Sequence, residues 1–111
     1  PLSPKAQWRI GDHYLRLKKY NLAHTAFQRV VDKYPDSIQA PISLLTIGNI
    51  YAYHQDEKEK AKKAYQRVLA DYPDVKIPWQ YEIIGIPGKI NQEVTVVKAH
   101  FLAEEFLEDL E

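Results

Sequence analysis

Ala23-His24-Thr25-Ala26-Phe27-Gln28-Arg29-Val30 and Ala61-Lys62-Lys63-Ala64-Tyr65-Gln66-Arg67-Val68 are two versions of one phrase, 38 residues apart. Each copy ends alike, on Tyr34-Pro35-Asp36 and on Tyr72-Pro73-Asp74. Upstream, Ile10-Gly11 and Tyr14 fall on Ile47-Gly48 and Tyr51 at an offset of 37. The change of offset places one inserted residue in the second copy, near His54 to Glu57. Self-similarity at such a period is the mark of stacked supersecondary units.

Each half of a unit reads as a helix. Ser3 can cap the first, with Pro4 at the first helical position, where its missing N–H is harmless. Ile10, Tyr14 and Leu17 recur at helical spacing. Lys18 to Asn21 interrupts, Asn21 is a cap for the next helix, and Pro35 ends that helix. In the second unit Ser37 or Ala40 precedes a helix that runs to about Tyr53. Asp56 then caps a helix closed by Pro73. Helices cross closely only over small side chains, at about 8–10 Å. Gly11 against Ala23, and Gly48 against Ala61, are therefore the expected contact points, with Tyr14, Phe27, Tyr51 and Tyr65 filling the space around them. An ordinary four-helix bundle does not require Gly, Ala and Pro at matching offsets.

These residues resemble the tetratricopeptide repeat, whose pattern is W-x2-L-G-x2-Y, then A-x3-F, then P. The first unit supplies Ile10-Gly11-x2-Tyr14, Ala23-x3-Phe27 and Pro35; the second supplies Leu44-x2-Ile47-Gly48-x2-Tyr51, Ala61-x3-Tyr65 and Pro73. Gln7 stands where the aromatic belongs, with Trp8 one residue later. The units are also about three residues longer than the usual 34. Longer units ending in Tyr-Pro-Asp look like bacterial cell-envelope members, such as outer-membrane assembly lipoproteins and the Tol–Pal coordinator family. The compartment stays open between that envelope or periplasm and the cytoplasm. The resemblance implies an all-α fold of about six helices, with hairpins stacked as a right-handed α-solenoid. The expected layout is one domain over residues 1–111, with repeat 1 at about 4–37, repeat 2 at about 38–75 and a degenerate repeat 3 at about 78–110.

In that third unit Tyr81-x2-Ile84-Gly85 fits the opening half, but Gly88 replaces the tyrosine and Pro87 breaks the helix. The spacing predicts a short fifth helix over Pro78 to Gly85. A long sixth helix is expected from Gln92 to Leu110, with Asn91 as its cap. Val94, Val96, Val97, Phe101, Leu102, Phe106, Leu107 and Leu110 wrap more than half of it. A terminal repeat helix normally shows a polar outer face. This one invites either a following helix or a second chain, through Phe101, Leu102, Phe106, Leu107 and Leu110. The acidic residues Glu104, Glu105, Glu108, Asp109 and Glu111 read as its solvated side.

The chain has 15 basic and 15 acidic residues, 45% apolar residues and no Cys or Met. The apolar fraction supports a core. The absence of Cys excludes disulfides, thiolate metal sites and a cysteine nucleophile. The zero net charge argues against electrostatic binding of nucleic acid or membrane. Apolar runs are too short for a membrane span or signal core. The absence of Met suggests a piece of a longer protein. His13, His24, His54 and His100 lack ligand spacing, since a zinc helix wants two His four apart. Gly85-x2-Gly88-Lys89 lacks the gap and hydroxyl of a phosphate loop, with Ile90 after the lysine. Lys58, Lys60, Lys62 and Lys63 interleave with Glu57 and Glu59 and read as a soluble face. No metal, no cofactor and no catalytic constellation is expected.

What remains is the surface the repeats create. The first helix of each pair lines the concave side of a solenoid. With Ile10, Gly11 and Tyr14 facing the core, Lys5, Trp8, Asp12 and Leu15 face the groove. They are followed by Ile42, Leu45, Asn49 and Ala52, and then by Trp79, Glu82 and Ile86. Aromatic anchors with a few polar points suit peptide recognition; the same residues could instead simply pack neighbouring helices together. The resemblance also brings to mind the carboxylate clamp for chaperone C-termini. Here only Asn49 fits that clamp, and Asp12 and Glu82 would repel a carboxylate. The expected function is a non-catalytic protein–protein interaction module, part of a larger scaffold or assembly protein, that takes a protein or peptide in its groove. The alternative is a structural spacer or a homo-oligomerisation segment pairing through the last helix.

Overall fold

A computed structural model describes residues 2–78 and 96–110; the side chains of 77, 78 and 96–101 fall outside that description. Among the described residues five helices follow in order: α1 (Pro4–Arg16), α2 (Tyr20–Lys33), α3 (Gln39–Tyr53), α4 (Lys58–Asp71) and α5 (Ala99–Asp109). Strands β1 (Lys76–Pro78) and β2 (Val96–Lys98) pair antiparallel, with Ile77 opposite Val97. The chain is a helical repeat, two hairpins followed by α5.

α1 begins as its sequence predicts. Ser3 is extended, its hydroxyl accepts from the Ala6 N–H at 3.1 Å, and Pro4 opens the helix. The other starts differ. α2 begins at Tyr20 after Lys19, so Asn21 lies inside the first turn and does not cap. Glu57, not Asp56, precedes α4. Neither Ser37 nor Ala40 caps α3: Ile38 precedes it, and the Ser37 hydroxyl donates back to the Tyr34 carbonyl at 2.7 Å.

The turn inside the second hairpin holds the inserted residue. Lys18 and Asp56, 38 apart in sequence, both take left-handed backbone, with φ of 58° and 50°. In the first hairpin the Lys19 N–H closes onto the Tyr14 carbonyl, 2.9 Å away. In the second, the Glu57 N–H closes onto Tyr51 at 2.8 Å. The tyrosines are 37 apart and the donors 38 apart, so the second turn absorbs the extra residue and the helices on either side stay in register.

Within each hairpin the close approach brings a glycine against an aromatic ring. A Cβ built on Gly11 would lie 2.6 Å from Phe27 Cδ1, and one on Gly48 would lie 2.8 Å from Tyr65 Cδ1. Each glycine thus faces the aromatic ring that stands four residues after Ala23 or Ala61. Both alanines are fully buried beside the crossing. The reason is size: a flat ring can slide over a bare backbone, and it buries far more apolar surface there than a methyl group. Gln7, in the family's aromatic position, is buried and donates from Nε2 to the Ala26 carbonyl at 3.2 Å.

The recurrent Tyr-Pro has a visible role. The Tyr72 hydroxyl donates to the Pro35 carbonyl at 2.6 Å, tying the end of α4 to the lead-in of α3. The Tyr34 hydroxyl likewise donates to the Leu2 carbonyl ahead of α1. Each unit is clasped from its last residue back to its first.

α3 lies at the centre. Every residue from 39 to 50 is buried, because α1, α2, α4 and α5 all pack against it. A helix apolar on nearly all sides belongs inside. One cluster joins Phe27 and Ala23 to Ile47 and Ile50 across the seam between hairpins. Another joins Leu45, Tyr65 and Val68 to Ala103 and Phe106.

The C-terminal region departs from expectation. Val96–Lys98 is strand, so the expected helix from Gln92 is confined to α5, and the expected cap Asn91 lies outside the described residues. Pro78, the expected start of a fifth helix, ends β1; the rest of that helix, 79–85, also lies outside them. α5 packs mainly on α4 and lightly on α3, just as α3 packs on α2 and lightly on α1.

Gly48→Ala drives a methyl into the Tyr65 ring. Overpacking of this kind costs about 1–3 kcal/mol, against a gain of at most about 1 kcal/mol in helix propensity. Urea unfolding should show a net loss of stability, and in a cycle with Tyr65→Leu the two losses should be less than additive; a stabilised Gly48→Ala protein would contradict the crossing.

Candidate functional site

The expected groove residues divide by burial. Lys5 is exposed, while Trp8 and Asp12 are partly buried on α1. Leu15, Ile42 and Leu45 are core residues, and Asn49 is fully buried. This corrects their assignment to an open face. α3 is enclosed by its neighbours, so residues one unit along from Lys5, Trp8 and Asp12 lie inside. Trp8 packs against both core clusters, which places it at the edge of the α1–α3 contact. Ala52 is partly buried. Trp79, Glu82 and Ile86 lie outside the described residues.

Asp12 is the polar centre of what stays open. Its Oδ2 accepts from Arg16 Nε at 3.1 Å, one turn along α1. Its Oδ1 is screened from solvent and has no hydrogen bond among the described residues. A carboxylate oxygen in that state favours an incoming N–H or ammonium group.

Asn49, by contrast, serves the interior. Its Oδ1 accepts from the Tyr65 hydroxyl at 2.6 Å, while Nδ2 has no partner among the described residues. Burial, reinforced by the nearby Tyr53 and Asp109, raises the Tyr65 phenol far above its ordinary value and keeps it protonated as a donor. The bond joins the two helices of the hairpin at the same crossing where Gly48 meets the Tyr65 ring. Residue spacing does not signal this pairing, because Tyr65 reads as a plain aromatic at the Phe position of the repeat pattern.

The residues offered for oligomerisation are also largely engaged within the chain. Phe106 is buried, with its ring 5.4 Å from that of Tyr65. Leu102, Leu107 and Leu110 pack partly buried against the same cluster. The Phe101 side chain lies outside the described residues. Phe106 is therefore corrected from an outward contact to a core residue.

A second polar locality was not anticipated. Between α2 and α3 lies a cleft of about 340 Å³ lined by His24, Gln28, Arg29, Asp32, Ile47 and Tyr51, with Thr25 at its edge. The His24 and Tyr51 rings stack at 4.1 Å. Tyr20 and His54 stack at 5.0 Å nearby. Each stack pairs a residue from the start of α2 with one near the end of α3. Among the described residues no three His, Cys, Asp or Glu side chains are grouped to hold a metal ion, and no helix is long and apolar enough to cross a membrane.

Against known proteins, the family model described as "Tetratricopeptide repeat" matches residues 5–37 and 43–74, the two hairpins. Neither a curated protein nor a solved structure matches the chain.

Tyr65→Phe strands the buried Asn49 amide with no partner on either polar atom, at a cost of about 1–3 kcal/mol. In a double-mutant cycle by urea unfolding, Tyr65→Phe with Asn49→Leu should lose less than the sum of the single changes. Because the phenol is raised in the folded state, its contribution is full below pH 10 and is lost as pH rises above that. Tyr65→Phe should therefore flatten the alkaline fall in stability; simple additivity with an unchanged alkaline limb would contradict the buried pair.

Proposed function

Since this chain belongs to the tetratricopeptide-repeat family, whose repeats mediate protein–protein interaction and are not catalytic, we propose that it is a binding module of a larger scaffold or assembly protein. Its partner is a protein or peptide segment that lies along the open face of α1. Lys5, Trp8 and Asp12 are the residues that meet it. Trp8 offers the edge of a large ring, and such rings dominate binding energy where they are partly desolvated. Asp12 offers a carboxylate oxygen with no hydrogen bond among the described residues, which a turn of the side chain brings to the surface, and that one observation carries the reading. Lys5, two turns of helix before Asp12, sets the opposite charge at the other end of the face. The favoured segment thus brings a lysine, an arginine or a free backbone N–H to Asp12 and an apolar side chain to Trp8. Asn49 supports the face from behind by fixing α4 against α3 and does not touch the partner.

Selection of short peptides from a random display library against the immobilised chain tests this. Enriched sequences should carry a basic residue beside an apolar one. Asp12→Asn should weaken them about tenfold or more, as expected for a lost charge-assisted hydrogen bond of about 1.5–3 kcal/mol. The helical circular-dichroism signal should stay unchanged. Peptides that bind Asp12→Asn and Lys5→Glu as tightly as the parent would remove the α1 face from consideration.

A further inference from the structure

We propose that the seam between the two hairpins is a pH-sensitive joint, in which protonation of His24 loosens α2 from α3. The geometry carries this. His24 projects from α2 across the seam, with its ring stacked on Tyr51 of α3 at 4.1 Å and 25°. Its Nε2 lies 2.8 Å from Gln55 Oε1 in the turn after α3. That spacing suits a neutral ring donating its Nε2 proton to the amide oxygen. The other nitrogen, Nδ1, is screened from solvent and has no partner among the described residues. In the neutral ring it is a bare acceptor. Protonation makes it an N–H donor with no acceptor among the described residues, in a half-buried place, and such a group is expensive to leave unsatisfied.

The charges around the ring point the same way. From α4, the Lys60 ammonium sits 5.7 Å from the centre of the Tyr51 ring that His24 stacks on. From the turn come Gln55 and His54, the latter stacked on Tyr20 with the Tyr20 hydroxyl 3.3 Å from its Nδ1. α2 itself places Arg29 and Asp32 along the same cleft, and the Gln28 amide donates to Asp32 at 3.0 Å. Burial lowers the affinity of His24 for a proton most, the Gln55 bond offsets part of that, and the Lys60 charge lowers it further.

The sign follows from linkage. A histidine held below its ordinary 6.5 when folded takes up a proton more readily when unfolded. Its contribution to stability is complete above pH 6.5 and is lost as pH falls below that value. The loss acts locally, because His24 sits at the rim of the cluster in which Ala23 and Phe27 meet Ile47 and Ile50. The α3–α4 crossing is held separately, by the Tyr65 ring over Gly48 and the Tyr65–Asn49 bond.

The whole chain at pH 7.5 and 5.0 tests this by urea unfolding, by imidazole NMR titration and by amide exchange corrected for intrinsic rate. The folding constant should fall severalfold on acidification in the parent chain. It should fall clearly less in His24→Gln, whose amide can still donate to Gln55. Lys60→Gln, on an exposed site and so safe for folding, should raise the midpoint of the His24 titration. At pH 5.0 the seam amides of α2 and α3 should lose protection before those of α4. A His24 titration at or above 6.5, or the same acid loss in His24→Gln as in the parent, overturns the joint.

Discussion

An aromatic ring resting on a helix backbone, with no side chain between them, is the contact on which this structure depends. It occurs twice, Phe27 over Gly11 and Tyr65 over Gly48. Dispersion and apolar burial both require this closeness, since a gap of even half an ångström forfeits much of the attraction. Glycine pays for the closeness with weaker helix propensity, about 1 kcal/mol relative to alanine. The buried ring more than offsets that loss, for full burial of such a side chain is worth about 1.5–3 kcal/mol. Once each hairpin is closed in this way, its first helix has one side left for the preceding unit and one for the next. α3, with neighbours on every side, is the result.

That arrangement explains why one repeat position behaves differently in the two units. Asp12 and Asn49 are equivalent in sequence. Asp12 on α1 keeps an oxygen with no hydrogen bond among the described residues, whereas Asn49 on α3 is enclosed and its oxygen accepts from Tyr65. A polar residue placed for contact with a partner becomes part of the core once a further helix lies beside it. The same logic applies to α5, whose Ala103 and Phe106 complete the cluster around Tyr65.

Much of this was readable from the residues. Periodic Gly, Ala, aromatic and Tyr-Pro positions gave both hairpins, their approximate ends and the inserted residue, because each reflects a local backbone or packing demand. Three kinds of feature were not readable. Helix starts moved by a residue or two where backbone geometry, as at Lys18 and Asp56, did what a capping side chain was expected to do. Which atom comes nearest each glycine was not readable either, because spacing tells which residues share a face but not which atom reaches furthest across it. The openness of the inner face was misjudged for Leu15, Leu45 and Asn49, because burial on that side depends on helices that come from elsewhere in the chain. Past Pro73 the repeat signal fades, and there the expected long helix gave way to Val96–Lys98 as strand and to a shorter α5.

The most direct test of the glycine–aromatic contact is proton NMR of the folded chain. The Gly48 Hα protons should show strong nuclear Overhauser contacts to the Tyr65 ring and a ring-current displacement, with the same pattern between Gly11 and Phe27. Gly48 and Gly11 Hα shifts at random-coil positions, with no contact to either ring, would contradict the account.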